Sequence, residues 1–422
     1  MKYAIVTLGC KVNQFESQAI ETLLQSRGHT PASAGDAEAV IVNSCAVTEE
    51  SGRKSRQALR RLMKENPGAF AAVCGCWSQL SPEDASALGA RVVYGSGDRQ
   101  GFVEAVERAA LARSVDDPFR REKIEALPAG ALEGRTRAYL RIEDGCDNFC
   151  SYCVIPYARG RVRSMAPAEI SAEAARLRDG GFREIVITGI EISSYGKDLR
   201  DGTTLADAVA AVSAAAPELR VRLGSLEPGS VTPELCGALA DCPGLCPHFH
   251  LSLQSGCDRT LAAMRRKYDT AGFERAASLL RERFPGCALT ADLIAGFPGE
   301  TEEDFEATLA FLRRVGFAAM HVFPYSPRPG TPAAEMEQLP RALREERARR
   351  ARTLAGEMQR AYLAEQVGRS LPVLFETERD GIWQGHSGNY CLVCAEGTAL
   401  HGIIRNVKIL TVRGKKLMGI IV

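Results

Sequence analysis

The sequence has no long apolar run, no evident export signal and almost no net charge, and each absence removes a class of function. No apolar stretch approaches the roughly 20 residues a membrane helix needs, so a bilayer-spanning role is not expected. The 53 Lys and Arg residues stand against 52 Asp and Glu, a formal net charge of +1, so any nucleic-acid surface must be local. Near the start, Ala4-Ile5-Val6 and Leu8-Gly9-Cys10 imitate a lipoprotein cleavage site. The apolar part is too short, and Lys11, Asn13, Gln14 and Glu16 follow at once. Export is rejected and a cytoplasmic location is expected.

What the sequence does have is 422 residues, enough for roughly two to four domains, and 14 cysteines. In a large charged chain with no export signal, that many thiols point to core packing or metal ligation rather than disulfides. The first stretch repeats one theme three times, a short apolar strand, a cysteine and a helix-like segment. Residues 3–8 lead to Cys10, 39–42 to Cys45 and 70–73 to Cys76. After the third, Ser81-Pro82-Glu83-Asp84 has the form of a capped helix start. Short apolar strands alternating with helices build a parallel sheet, whose ligand sites lie beyond the carboxyl ends of the strands. The three cysteines are therefore expected along one edge.

The pattern breaks around Asp116-Asp117-Pro118 and Leu127-Pro128-Ala129-Gly130, and a new strand begins near Ala138-Tyr139-Leu140-Arg141-Ile142. Strands then alternate with helical patterns at 184–188, 220–223, 248–253, 288–294 and 319–323, which predicts a β/α barrel or part of one. A charged helix follows Pro340, with Arg341, Arg344, Arg347, Arg349, Arg350 and Arg352 close together. Such a run is either a solvated face or a strip for phosphates. Beyond it, β-rich runs at 371–375, 390–394, 402–404 and 417–422 predict a small β-barrel. The expected fold class is thus α/β: residues 1–128 as a parallel-sheet domain, 136–366 as a partial barrel and 367–422 as a β-barrel.

Cys146, Cys150 and Cys153 form a C-x3-C-x2-C run. Thiolates at this spacing can converge on one iron-sulfur cubane, and three ligands for four irons leave one iron open. Positions i, i+4 and i+7 are also one face of a helix, but Gly145, Asp147, Asn148 and Ser151 favour a loop and Pro156 follows soon after. A structural zinc site would need a fourth Cys or His nearby, and none is there.

The flanking residues make the pattern specific. Arg141-Ile142-Glu143-Asp144-Gly145-Cys146 through Cys153-Val154-Ile155-Pro156-Tyr157-Ala158-Arg159-Gly160 resembles the cluster loop of the methylthiotransferase branch of radical S-adenosylmethionine (SAM) enzymes. The resemblance continues through Thr188-Gly189-Ile190-Glu191 and Ser194-Tyr195-Gly196, then through His250-Leu251-Ser252-Leu253-Gln254-Ser255-Gly256. It extends to Asp292-Leu293-Ile294-Ala295-Gly296-Phe297-Pro298-Gly299-Glu300-Thr301. The terminal barrel is similar to a TRAM domain, an RNA-binding module, so the resemblance covers nearly the whole chain.

That resemblance implies two [4Fe-4S] clusters. Cys146, Cys150 and Cys153 would hold the SAM-reactive one, and Cys10, Cys45 and Cys76 an auxiliary, sulfur-handling one. Cys74 and Trp77-Ser78 depart from the usual pattern; Cys76 takes the ligand register and Cys74 is expected at the buried end of its strand. For SAM itself, the family places the Gly296–Gly299 turn and Tyr152 beside the adenine and Glu191 at the amino group, with Gln254 in the same pocket. The implied chemistry is reductive cleavage of SAM, hydrogen abstraction from carbon 2 of an adenine, and transfer of a methylated sulfur. Lys11-Val12-Asn13-Gln14-Phe15-Glu16 and Asp147-Asn148-Phe149 are most similar to the branch acting on N6-threonylcarbamoyladenosine beside the tRNA anticodon. Branches acting on isopentenyladenosine or on an aspartate of ribosomal protein S12 are the alternatives. A non-catalytic iron-sulfur, redox-sensing RNA-binding protein is the alternative of another class. The implied partners are the tRNA anticodon stem-loop and an electron donor such as flavodoxin or ferredoxin, with the enzyme a monomer.

The remaining signals are weaker. Arg379, Arg405, Lys408, Arg413, Lys415 and Lys416, with Trp383 and Tyr390, give the terminal barrel a basic and aromatic surface suited to nucleic acid. Cys242 with Cys246, and Cys391 with Cys394, imitate metal spacings, but the second pair falls in an expected strand where i and i+3 face opposite sides. Cys236, Cys257 and Cys287 are expected as small buried hydrophobes.

Overall fold

The computed structural model describes residues 1–109, 111–128 and 135–422; Ala129 and Gly130 of the expected linker lie outside them. The strand-cysteine-helix repeats form a parallel sheet of six strands. These are β1 (Lys2–Thr7), β2 (Thr30–Pro31), β3 (Ala39–Ser44), β4 (Phe70–Gly75), β5 (Val92–Tyr94) and β6 (Ala112–Ser114), in the order β2-β1-β3-β4-β5-β6. Every residue of β3 is buried, as a central parallel strand covered on both faces must be. Helices Lys11–Ser26, Glu49–Glu65 and Cys76–Leu80 leave from the carboxyl ends of β1, β3 and β4, so Cys10, Cys45 and Cys76 emerge on one edge. Cys74 is fully buried within β4. Helix Pro82–Ala87 starts with Pro82 in its first turn, although the Ser81 side chain makes no capping hydrogen bond.

The second set of strands comprises β7 (Arg137–Arg141), the antiparallel pair β8 (Glu143–Asp144) and β9 (Arg163–Ser164), and then β10 (Glu184–Thr188) and β11 (Arg220–Leu223). It continues with β12 (Ser225–Leu226), β13 (His248–Gln254), β14 (Ala288–Ala295) and β15 (Ala319–Pro324). Strands β7, β10 and β11 pair in parallel, as do β12 to β15. Only Gly224 separates β11 from β12, so one chain joins the two sheets. Among the described residues β7 and β15 are not paired, which leaves the barrel open at its side. Phe15 and Ala19, from helix Lys11–Ser26, belong to the same buried cluster as Leu140, Ile142 and Leu251 of the barrel. The first sheet and the barrel therefore share a core.

Helix Arg341–Ala364 follows Pro340 as expected; Arg341 and Arg349 stand in solvent, but the other arginines of the run are turned onto the barrel. Arg344 donates to the Tyr325 carbonyl at 2.7 Å, Arg347 to Glu300 at 2.8 Å, Arg350 to Glu302 at 2.5 Å and Arg352 to the Val322 carbonyl at 3.0 Å. Most of the run holds the helix against the barrel.

The terminal strands β16 (Ser370–Arg379), β17 (Ile382–Ser387), β18 (Leu392–Glu396), β19 (Ile404–Arg413) and β20 (Lys416–Ile421) close into a barrel in the order β16-β17-β18-β20-β19. The strand expected at 390–394 starts two residues later, because Tyr390 sits at φ +64 in a turn. The one expected at 402–404 begins at Ile404 and runs on to Arg413. Cys236, Cys242, Cys246, Cys287, Cys391 and Cys394 are buried, whereas Cys257 is half-buried and lies 3.3 Å from Asp304 Oδ1. No helix among the described residues is long and apolar enough to cross a membrane.

Candidate active site

Two glycine turns bring the first three thiols together. Gly9 and Gly75 both take φ +106, which side-chain-bearing residues rarely adopt. A Cβ at Gly9 would lie 2.8 Å from Cys45 Sγ, and one at Gly75 would lie 2.4 Å from the Ser44 carbonyl oxygen. Buried Asn13 ties the turns, its Nδ2 donating to the carbonyls of Leu8 and Ser44, each at 2.9 Å. Cys45 and Cys76 are buried and Cys10 keeps an open side. The surrounding protein raises all three thiol pKa values, and the thiols act on one another, Cys45 on Cys10, Cys76 on Cys45 and Cys10 on Cys76.

The second trio sits on a loop held from below, not on a helix face. Gly145 takes φ +92, and a Cβ there would fall 1.9 Å from the Arg161 carbonyl oxygen. Cys146 N donates to the Gly160 carbonyl at 3.0 Å, Asn148 N to Cys146 Sγ at 3.5 Å and Ser151 Oγ to the Ala263 carbonyl at 2.8 Å. Burial pushes the Cys153 thiol up to about 12 and raises Cys146 as well; Cys153 also feels Cys76 of the first trio. The two sets thus lie within electrostatic reach across one site. Among the described residues, no three His, Cys, Asp or Glu side chains are gathered tightly enough for a single metal ion. A cubane spreads its ligands over separate irons, so neighbouring but unclosed trios of thiols fit it better than zinc.

Two arginines that the sequence reading gave no role reach these sulfurs. Arg159 Nε donates to Cys76 Sγ at 3.2 Å, and Arg266 Nη1 to Cys150 Sγ at 3.3 Å. Arg159 stands in a quoted motif, but nothing local distinguishes Arg266 from its neighbours Arg265 and Lys267. Arg266 is anchored by Glu227 at 2.6 Å.

Over the second trio lies a cavity of about 270 Å³ lined by Cys146, Cys150, Cys153, Tyr152, Glu191 and Gln254; Val47 and Thr48, just past Cys45, are also in its wall, while Cys10, Cys45 and Cys76 themselves are not. Burial and the neighbouring Glu227 push the Glu191 carboxyl up to about 7. Its Oε1 accepts from Ser193 N at 3.1 Å, and its own N donates to Glu143 at 2.8 Å. Gln254 sits at φ +63, where the register between β13 and β14 shifts. The Gly296–Gly299 turn behaves differently from expectation and does not line this cavity. Gly296 takes φ +74, and a Cβ there would meet the Arg344 side chain at 2.7 Å, so its lack of a side chain seats helix Arg341–Ala364. Gly299, at φ +77, has nothing within 4 Å of a built Cβ.

Under both trios runs a buried ionic network. Glu16 accepts from Arg99 at 3.1 Å and from both terminal nitrogens of Arg159, and Arg141 lies at 3.7 Å. Burial would raise its carboxyl, but Arg159 and Arg99 outweigh it and hold the pKa down at about 2. Asp144 faces Arg141, Arg159 and Arg163 at 3.2 to 3.6 Å.

Of the two aromatics expected at the surface of the terminal barrel, Tyr390 is exposed, with one side of its ring stacked, and Trp383 is half-buried. Trp383 packs on the terminal barrel's core, and the Tyr390 ring lies 4.8 Å from His386, 5.0 Å from His248 and 4.6 Å from the Arg222 guanidinium.

Comparisons with known proteins give the family of the chain. Residues 140–312 match the Radical SAM superfamily model, and residues 2–95 match Uncharacterized protein family UPF0004. The Threonylcarbamoyladenosine tRNA methylthiotransferase MtaB of Bacillus subtilis (strain 168) is 37% identical over 423 residues, covering 96% of this chain and 93% of that protein. The tRNA-2-methylthio-N(6)-dimethylallyladenosine synthase of Nitratidesulfovibrio vulgaris (strain Hildenborough) is 37% identical over 407 residues, covering 91% and 89%. Among solved structures, the radical S-adenosylmethionine methyltransferase TsrM from Kitasatospora setae superposes with a TM-score of 0.57 at 17% identity, covering 79% of this chain and 75% of that one. That likeness extends to the fold.

Proposed function

Because the chain belongs to the methylthiotransferases of the radical SAM superfamily, we propose that it converts N6-threonylcarbamoyladenosine at tRNA position 37 to the 2-methylthio derivative. The observation that carries this reading is a cavity walled by the barrel-loop trio and by Val47 and Thr48, just past Cys45 of the first trio, with Cys76 in electrostatic reach of Cys153. In this reading Cys146, Cys150 and Cys153 hold the SAM-reactive [4Fe-4S] cluster, and Cys10, Cys45 and Cys76 hold a second. When bound, the two clusters and SAM supply reductive cleavage of the sulfonium, hydrogen removal from adenine carbon 2 and a methylated sulfur for the site left open.

The protein's own part is placement. Glu191, with a carboxyl that ionises near neutrality, is set to accept from the SAM ammonium, and Tyr152 packs beside the adenine. Arg266 and Arg159 stabilise thiolate charge through their N–H groups. Residues 1–128, 136–366 and 367–422 act as thiol-bearing, barrel and TRAM-like units, the last engaging the anticodon stem-loop. The protein works as a cytoplasmic monomer fed by a flavodoxin- or ferredoxin-type donor.

Anaerobically reconstituted protein, given SAM, a reductant and a sulfur source, should add a methylthio group to tRNA carrying threonylcarbamoyladenosine, seen by nucleoside mass spectrometry. Equal identity to the dimethylallyladenosine synthase makes tRNA bearing isopentenyladenosine the necessary second substrate. Exclusive modification of that tRNA overturns the substrate assignment. Iron sufficient for only one cubane overturns the two-cluster reading.

A further inference from the structure

Below the thiol cavity, the inner face of the open barrel leads into a wider one of about 690 Å³. The two adjoin at Asp292, which lines the upper cavity while its carboxylate lies 3.3 Å from Nε2 of His250 in the lower one. Alternate side chains of a strand share a face, so His248, His250, Ser252 and Gln254 make one inward column on β13. The upper two members line the thiol cavity and the lower two the second one. Lys11 of the first sheet's helix, Arg137 and Arg222 of the barrel, and Glu376 and Tyr390 of the terminal barrel complete its wall.

Its charge is one-sided, with Lys11, Arg135, Arg137, Arg222 and Lys415 against the carboxylate of Glu376. The inner arginines are already engaged. Arg137 pairs with Glu376 at 2.7 Å, and Arg222 pairs with Glu184 at 2.7 Å under the Tyr390 ring. Lys11 is the exception: among the described residues its ammonium has no hydrogen bond or contact ion pair, with Arg222 and Arg137 repelling it and Asp292 attracting it from beyond contact distance. His248, only 5% exposed, has a second unmet group, since Nε2 lies 3.2 Å from Thr290 Oγ1 but Nδ1 has no partner. A half-buried ammonium with no partner in contact, and an unsatisfied imidazole nitrogen nearby, is costly without an anion at hydrogen-bonding distance. Lys11 also directly follows Cys10, so whatever it binds lies beside the first thiol trio.

We infer that this lower cavity receives the carboxylate of the substrate's threonylcarbamoyl group, with Lys11 as its ionic partner. The inference rests on the proposed substrate. The nucleobase lies between the thiol trios, and its N6 substituent extends down the barrel past Asp292. A threonyl group brings one carboxylate and one hydroxyl to a place that offers an ammonium and the unmet imidazole nitrogen of His248. An isopentenyl group brings neither and leaves Lys11 unmet, so the same contact separates the two nucleosides. An RNA phosphate has the same anionic chemistry, and the test must tell the two sources apart.

Full-length, iron-reconstituted protein is assayed on synthetic anticodon stem-loops carrying threonylcarbamoyladenosine either as the free acid or as its methyl ester, variants being compared at equal iron content. Wild-type kcat/KM should favour the acid by about tenfold, the effect of one charge-assisted contact. Lys11→Gln should lose about that factor on the acid and little on the ester, and Lys11→Arg should restore the preference. Equal wild-type rates on acid and ester overturn the inference even if the variants fail to fold. Equal losses on both substrates in Lys11→Gln also overturn it, pointing to an RNA phosphate or to support of Cys10. Failure of wild-type protein to modify either loop defeats the proposed substrate itself, a separate outcome.

Discussion

Arg266 and Arg159 place N–H groups on cysteine sulfurs at 3.3 and 3.2 Å, and hydrogen bonds to such sulfurs stabilise the more reduced, more negative state of a cluster. Arg266→Gln should therefore shift the SAM-reactive cluster to a more negative potential, read by redox titration with EPR detection. It should also slow SAM cleavage by about 10- to 100-fold, the usual cost of removing such a partner. Glu191 makes a second residue-level prediction. With its carboxyl pushed up to about 7, it loses its charge as pH falls through that value, so SAM binding should weaken below pH 7 and Glu191→Gln should flatten the profile. Cys10, Cys45 and Cys76 were legible in the sequence because a cysteine directly after a parallel strand has only one edge to occupy. Arg266 was not, because its target, Cys150, lies 116 positions away and no local pattern marks a guanidinium that turns inward.

At the scale of elements, the turns matter more than the strands they join. Gly75 carries Cys76 out of β4 at φ +106, with the Ser44 carbonyl where a Cβ would go. Gly75→Ala should reduce reconstituted iron from about eight toward about four per chain while β-sheet circular dichroism is kept, since one trio is disturbed and the other untouched. The alternation of strands and helices was readable from apolar spacing. The arginine run after Pro340 is solvated at Arg341 and Arg349 as expected, but periodicity shows which residues share a face and not what that face meets; Arg344, Arg347 and Arg352 meet the ends of β14 and β15 and the carboxylates beyond. Tyr390 was misplaced for a related reason, because a tyrosine held at positive φ by stacking has no signature in sequence.

Across the whole molecule, Glu16 links the first sheet to the barrel through Arg159, 143 positions away. Glu16→Gln should cost about 3–5 kcal/mol of unfolding free energy, because it leaves buried guanidiniums short of charge. The Glu16 carboxyl holds its proton less tightly in the fold than in the unfolded chain, so its contribution is complete above the ordinary carboxylate value near 4.5. It drains away as pH falls toward about 2, and denaturant midpoints measured across that window should show the loss, absent in Glu16→Gln. No sequence pattern announces such a pairing, because both partners are charged residues of the kind most often found in solvent.

The core that Phe15 and Ala19 share with Leu140 and Leu251 has a consequence for the nucleic acid. Jaws that share one core resist opening, so the RNA is expected to do the bending. The target nucleotide has to swing out of its stack to reach the sulfurs, at a cost of about a few kcal/mol, and anticodon loops whose neighbouring bases stack weakly should be modified fastest.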